Sequence, residues 1–174
     1  LAKKKPKPTA ENDLNDYIRY ELAQPFMAKT LTAFDKDFHP HPHDRKFWTA
    51  VCSPELELSF VVHVAVAGRM RELVGYLITE YTGKIFIEIH RLLVAPHRRR
   101  IKVATRLLLT AIAEKPYSAN KLIYTVPEND LDTQVFLRAS GFKAKAPLVK
   151  DAFPGYNHPD GIKFIWREQI NDMA

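Results

Sequence analysis

"LLVAPHRRRIKVATRLLL", Leu92 to Leu109, is the passage on which the fold turns. Leu92 to Val94 end an apolar, strand-like run, and Arg98, Arg99, Arg100 and Lys102 make a basic turn. From there Val103, Leu107, Leu108, Ala111 and Ile112 recur at helical spacing. A helix that starts directly after a strand aims unpaired N–H groups and a partial positive charge past the strand end. With four cations added, the turn suits a polyanion such as a pyrophosphate, and the residues by themselves equally suit a solvated basic cap. The turn contains no glycine, and no Gly-x-x-x-x-Gly-Lys-Ser/Thr occurs, which disfavours a P-loop.

Upstream, Asp16 to Leu22 reads as a short first strand. Pro25 suits the first turn of a helix over "PFMAKTLTAFDKDF", with Phe26, Leu31 and Phe34 on its buried face. "HPHPH" breaks that pattern. "DRKFWTAVCSP" follows as a second short helix, capped by Asp44 and ended by Pro54. Leu56, Leu58, Phe60, Val62, Val64 and Val66 alternate with Glu57, Ser59 and His63, predicting a strand with one buried face. Gly68 to Arg71 turns the chain, and "ELVGYLITEY" and "IFIEIHRLLV" add two strands around a tight Thr82-Gly83-Lys84 turn. Three strands with such short links imply an antiparallel meander.

Downstream, Pro116 stops the helix that Val103 opens. "KLIYTV" reads as a buried strand and "DLDTQVFLRAS" as a helix ended by Gly141. "FKAKAPLV" and "GIKFIWRE" form a closing strand pair around a long loop. The predicted class is mixed α/β, or α+β: a central, mostly antiparallel sheet flanked by helices. It is not the alternating order of a doubly wound nucleotide-binding fold.

The 174 residues are enough for one ordinary domain, expected at 13–174, with 46% hydrophobic residues to build its core. Residues 1–12 read as a flexible basic arm, four lysines against Glu11 leaving +3 of the chain's +6. Pro6 and Pro8 stand where the apolar core of a signal peptide would begin, and no apolar run approaches a membrane span. Cys52 is the single cysteine, so no internal disulfide forms, and the expectation is a cytoplasmic protein.

The strand ending in Val94-Ala95-Pro96, the basic turn and the helix after it resemble the central motif of the GNAT superfamily of N-acetyltransferases. Its members carry Arg/Gln-x-x-Gly-x-Gly/Ala at this point, and the register here is Arg99-Arg100-Ile101-Lys102-Val103-Ala104. Arg99 and Ala104 match, while Lys102 stands in place of the first glycine. A second landmark, a helix ending in Gly-Phe before the last strand pair, is met by Gly141-Phe142. The element order agrees from Asp16 to Trp166, and the closing segment looks most like the ribosomal-protein alanine N-acetyltransferase branch.

The resemblance implies acetyl-CoA as donor and an amine acceptor, a protein N-terminus or a small amine. Backbone groups of Leu92, Leu93 and Val94 would hold the pantetheine arm and acetyl carbonyl. The amides of Arg100, Ile101, Lys102, Val103, Ala104 and Thr105, after Arg99, would wrap the pyrophosphate. Asn129 or Asp130 would contact the arm. Glu88 lies where several members carry a general base, and His90, two residues on, could relay a proton. On strand alternation Glu88, His90, Leu92 and Val94 share one face. Each has a bland alternative, Glu88 as a half-exposed strand carboxylate and His90 as a structural histidine.

Two positions depart from the pattern. Leu137 replaces a tyrosine acid four residues before the glycine, and Thr125 replaces the glutamate of the alanine-acetylating branch. Tyr124 is adjacent but is expected to face the opposite side of its strand. His39, His41 and His43 have alternate spacing, yet Pro40 and Pro42 hold them extended and no fourth ligand is evident, so no metal is assigned. They and Trp48 are expected to shape the acceptor groove instead. The departures motivate an alternative, a non-catalytic CoA-binding or regulatory relative. A basic nucleic-acid-binding module ranks last, since no such motif is present.

Overall fold

The computed structural model describes residues 17–53, 59–81, 83, 85–99 and 101–169. The basic arm, Pro54, Leu56, Leu58, Thr82, Lys84 and Arg100 lie outside the described residues. Among the described residues seven strands form one sheet: β1 (Ile18–Leu22), β2 (Phe60–Ala67), β3 (Glu72–Tyr81), β4 (Phe86–Val94), β5 (Lys121–Pro127), β6 (Lys143–Val149) and β7 (Gly161–Arg167). Their order is β1-β2-β3-β4-β5-β7-β6. Among the described residues only the β4–β5 pairing is parallel. The helices are α1 (Ala28–Phe38), α2 (Arg45–Val51), α3 (Val103–Glu114) and α4 (Leu131–Ala139). The mixed, mostly antiparallel sheet flanked by helices agrees with the class predicted from the sequence. Among the described residues no helix is long and apolar enough to cross a membrane.

Local chemistry accounts for the helix boundaries. Asp44 caps α2 by accepting from Phe47 N–H. At the end of α4, Gly141 takes a φ of +88°, and Gly141 and Phe142 donate N–H groups to the carbonyls of Arg138 and Leu137. Pro25 opens a short 3-10 turn, Pro25–Met27, rather than the α-helix itself. That change of phase puts Met27 in the core and leaves Phe26 73% exposed, correcting the buried role expected for Phe26.

The core lies on both sides of the sheet. On one face α3 and α4 cover Ala65, Leu77, Ile87, Ile89, Val94 and Phe164. On the other, α1 and α2 cover Val62, Val64, Tyr76, Ile78 and Leu93. A strand covered on both faces has no reason to alternate. β2 is accordingly buried without interruption from Val62 to Ala67, not on one face as its sequence predicts. His63 is buried with it, bonded at 2.6 Å to Glu114 on α3.

Two irregularities in β4 create the site. The β3–β4 register shifts so that Ile78 pairs with Arg91 but Thr79 with Ile89, leaving His90 as an extra residue. The bulge reverses the alternation. Ile87, Ile89, Leu92 and Val94 belong to the α3–α4 side, whereas Leu93 belongs to the α1–α2 side. Glu88 and His90 therefore do not share a face with Leu92 and Val94, contrary to the simple strand period. The second irregularity is a parting of strands. β4 pairs with β5 only from Phe86 to Ile89, after which β4 follows β3 to Val94 and β5 follows β7 to Pro127. A wedge opens between them.

Candidate active site

The wedge widens into a cleft of about 1020 Å³. Its β4 wall presents backbone as well as side chains. Ala95 N–H donates to Val74 on β3, while Leu92 N–H points the other way and donates to the Tyr124 hydroxyl at 3.2 Å. Alternation along a strand then turns Leu93 toward β3 and Val94 toward the wedge. The Val94 carbonyl accepts from Arg99 Nε at 3.4 Å. Of the backbone groups expected to hold a ligand, Leu92 N–H is thus engaged by Tyr124, and Val94 N–H faces the gap.

At the inner end of the cleft α3 begins. Lys102, Val103, Ala104 and Thr105 line it, and no acidic residue occupies the helix's first turn. The unpaired first-turn amides and the helix dipole suit an anion there. Lys102 answers the question of the missing glycine. It sits at the helix N-cap with φ +65° and ψ +19°, the left-handed conformation that glycine adopts without strain. Cβ contacts make that conformation cost about 1–2 kcal/mol in other residues. Lys102→Gly is therefore expected to raise the melting temperature by about 2–8 °C. By removing a positive charge from the cleft, the same change is expected to weaken binding of a nucleotide pyrophosphate at low salt. Thermal unfolding and calorimetry check the two effects.

The other predicted ligand residues divide. Arg99, Asn129 and Asp130 line the cleft, although the Asp130 carboxylate caps α4 through Thr133 N–H and Oγ1. Ile101 is half-exposed beside the cleft without lining it. Arg100 falls outside the described residues. Arg98 and His97 reach Glu72 on β3 at 3.3 and 3.2 Å.

The outer end is built around Asp35, which is wholly buried on α1. Its carboxylate accepts from the Tyr76 hydroxyl, from Arg91 Nη1 at 3.0 and 3.1 Å, and from His43 N–H at 2.6 Å. Arg91 also donates to the His41 carbonyl at 3.0 Å. One buried carboxylate thus ties the "HPHPH" segment to the strand that carries the bulge. Burial, with the Arg91 charge next, lowers His39 and His43 to about 4 against an opposing pull from Asp35, so both are neutral near pH 7. His39 Nδ1 is taken up by His41 N–H, and His41 stacks on Tyr156 of the β6–β7 loop at 3.7 Å between ring centres. His39 and His41 line the cleft, whereas His43, the third histidine expected there, does not. Trp48 does not: it is fully buried against Tyr76, which corrects its acceptor-groove assignment.

The two catalytic candidates also part company. His90 lines the cleft and meets Glu80 at 2.7 Å, and Glu80 in turn accepts from Ser59. Glu88 stands opposite Glu80 in the strand pairing, outside the cleft lining. Glu80, Glu88 and His90 bring their ligand atoms within 4.8 Å of one another. Leu137 is sealed in the core and Thr125 borders the cleft.

Sequence reasoning missed Asp35, Arg91 and Tyr156, and set Tyr124 aside as facing away from Thr125. Tyr124 does face the α3–α4 side, opposite Thr125, yet where the strands part both residues border the opening. Asp35 gave no signal, since a single acid in an amphipathic helix reads as solvated.

A family model described as acetyltransferase (GNAT) family matches residues 20–142. No curated protein matches the chain. Among solved structures, Arabidopsis thaliana NAA60 in complex with a bisubstrate analogue is 16% identical, with 88% of this chain and 99% of that chain covered and a TM-score of 0.74. The same protein in complex with acetyl-CoA gives 15% identity, 87% and 99% coverage and a TM-score of 0.73. The ribosomal-protein-S18-alanine N-acetyltransferase from Escherichia coli gives 12%, 91% and 99%, and 0.73.

Proposed function

The chain belongs to the acetyltransferase (GNAT) family, with acetyl-CoA as its co-substrate, and from that premise we propose that it acetylates a primary amine, at a protein N-terminus or on a small molecule. The observation that carries the proposal is the wedge between β4 and β5. It opens on the α3 first-turn amides at one end and on His90 and the histidine loop at the other. Acetyl-CoA fits that shape: Lys102 to Thr105, with Arg99, would hold the pyrophosphate, and Leu93, Val94, Asn129 and Asp130 would border the arm. When bound it supplies a thioester carbonyl open to an amine.

The chain's own residues would do the rest. His90 accepts a proton from the attacking nitrogen, and Glu80 and Glu88 behind it stabilise the imidazolium. Val94 N–H polarises the carbonyl as negative charge develops. The outer end carries Phe38, neutral His39, His41 and Tyr156 around the paired Arg91. Such a rim admits an uncharged amine attached to an apolar or aromatic group without burying a second cation.

The test is CoA release from acetyl-CoA with a panel of peptides and small amines, the products identified by mass. Release is expected to require a free amine and to stop when a peptide's N-terminus is blocked. Tight acetyl-CoA binding with no turnover on any amine would favour the non-catalytic relative to which Leu137 and Thr125 point.

A further inference from the structure

We propose that Tyr124 is the hydrogen-bond donor to the sulfur that leaves when the acetyl group is transferred. The inference rests on acetyl transfer in this cleft and names a group for its second half. Tyr124 lies on β5 at the last residue paired to β4, where the wedge begins. Its oxygen accepts Leu92 N–H at 3.2 Å, so its own hydrogen must point elsewhere. Among the described residues no acceptor meets that hydrogen, although the residue is 93% buried and lines the cleft. A buried hydroxyl with a spare donor costs stability unless something completes it.

The faces of the sheet say what completes it. His90 stands with Glu88 and Glu80, and Arg91 beyond the bulge reaches Asp35 on the α1 side. Tyr124, Leu92 and Val94 belong to the α3–α4 side, which also carries the amides suited to pyrophosphate. An amine arriving beside His90 therefore attacks from one side of the wedge, and the thiol arm departs on the other. The hydroxyl on the departing side is that of Tyr124.

The bookkeeping of the step is simple. Nitrogen forms the new C–N bond and passes its proton to His90. The C–S bond breaks, its electron pair goes to sulfur, and the thiolate accepts a hydrogen bond from Tyr124. Burial pushes the Tyr124 hydroxyl up to about 12 against the lowering effect of Leu92 N–H. A thiol titrates near ~8.5, so the phenol keeps its proton and donates without transferring it. Solvent protonates the released thiolate.

The experiment is a titration of the thiol of bound CoA, followed by thiolate ultraviolet absorbance, in the wild type and in Tyr124→Phe. The bound thiol is expected to titrate about one pH unit higher in the variant, as follows from losing a hydrogen bond to a charged group. Turnover is expected to fall roughly 10- to 100-fold with acetyl-CoA affinity little changed. Incorporation of 3-fluorotyrosine at 124, a stronger donor of nearly the same shape, is expected to move the thiol titration the opposite way, which keeps the test decisive if the phenylalanine variant folds poorly. Identical titrations in all three proteins overturn the role of Tyr124 while leaving acetyl transfer standing. Failure of the wild type to bind CoA overturns both.

Discussion

Replacing Asp35 with alanine is expected to remove roughly 3–5 kcal/mol of stability, the usual cost of taking away one partner of a buried ion pair. Domains have only about 5–15 kcal/mol in hand, so the variant should sit near the unfolding threshold at 37 °C. The expectation follows from what the carboxylate holds. Asp35 is wholly buried, and Arg91 is only 13% exposed. Without the carboxylate the guanidinium keeps its charge with a single carbonyl contact, to His41. The Tyr76 hydroxyl, pushed up chiefly by burial and then by Asp35 itself, loses its acceptor, and His43 N–H loses its own. Tyr76→Phe removes one hydrogen bond and no charge, so it is expected to cost only about 1–2 kcal/mol. Urea unfolding of both variants measures the difference. A loss below about 1 kcal/mol for Asp35→Ala would show that the loop and Arg91 hold themselves in place.

His90→Gln is expected to lower kcat by roughly 10²- to 10⁴-fold, the range for loss of a positioned proton acceptor. Glutamine keeps a polar contact with Glu80 but cannot take a proton, so acetyl-CoA affinity is expected to stay within about threefold of the wild type. Glu80→Gln and Glu88→Gln, which leave the histidine in place and remove one charge behind it, are expected to cost about tenfold or less. A steady-state assay over pH, with kcat and KM resolved, distinguishes these outcomes. If Glu88→Gln proved far more damaging than His90→Gln, the proton acceptor would be the carboxylate outside the cleft lining, and substrate would have to approach from the strand's outer face.

Much of the fold was legible because the signals are local. Pro25, Pro116, Gly141 and Asp44 mark helix boundaries within three or four residues of themselves, through restricted backbone angles or a single cap. The apolar runs of β3 and β4 and the helical pattern of α3 need only a window of about ten residues. The strand–turn–helix over Leu92 to Leu109 could accordingly be placed, and so could the helix start at its centre. Even Lys102 follows the same backbone demand as the glycine it replaces, and the sequence could show only that the residue was unusual.

What the tertiary structure decided is everything that depends on register and long-range pairing. The bulge at His90 is set by how β3 and β4 align, and one extra residue exchanges the faces of all that follow. No periodicity in β4 alone could reveal that His90 and Leu92 look opposite ways. Arg91 finds Asp35 across 56 positions of chain, and Tyr124 finds Leu92 across 32. The sequence alone determined the elements, their order and the place where α3 starts behind the basic turn, because backbone preference and hydrophobic period act over a few residues. The tertiary structure decided which side chains meet in the cleft, because burial and pairing act between segments whose separation along the chain carries no local mark.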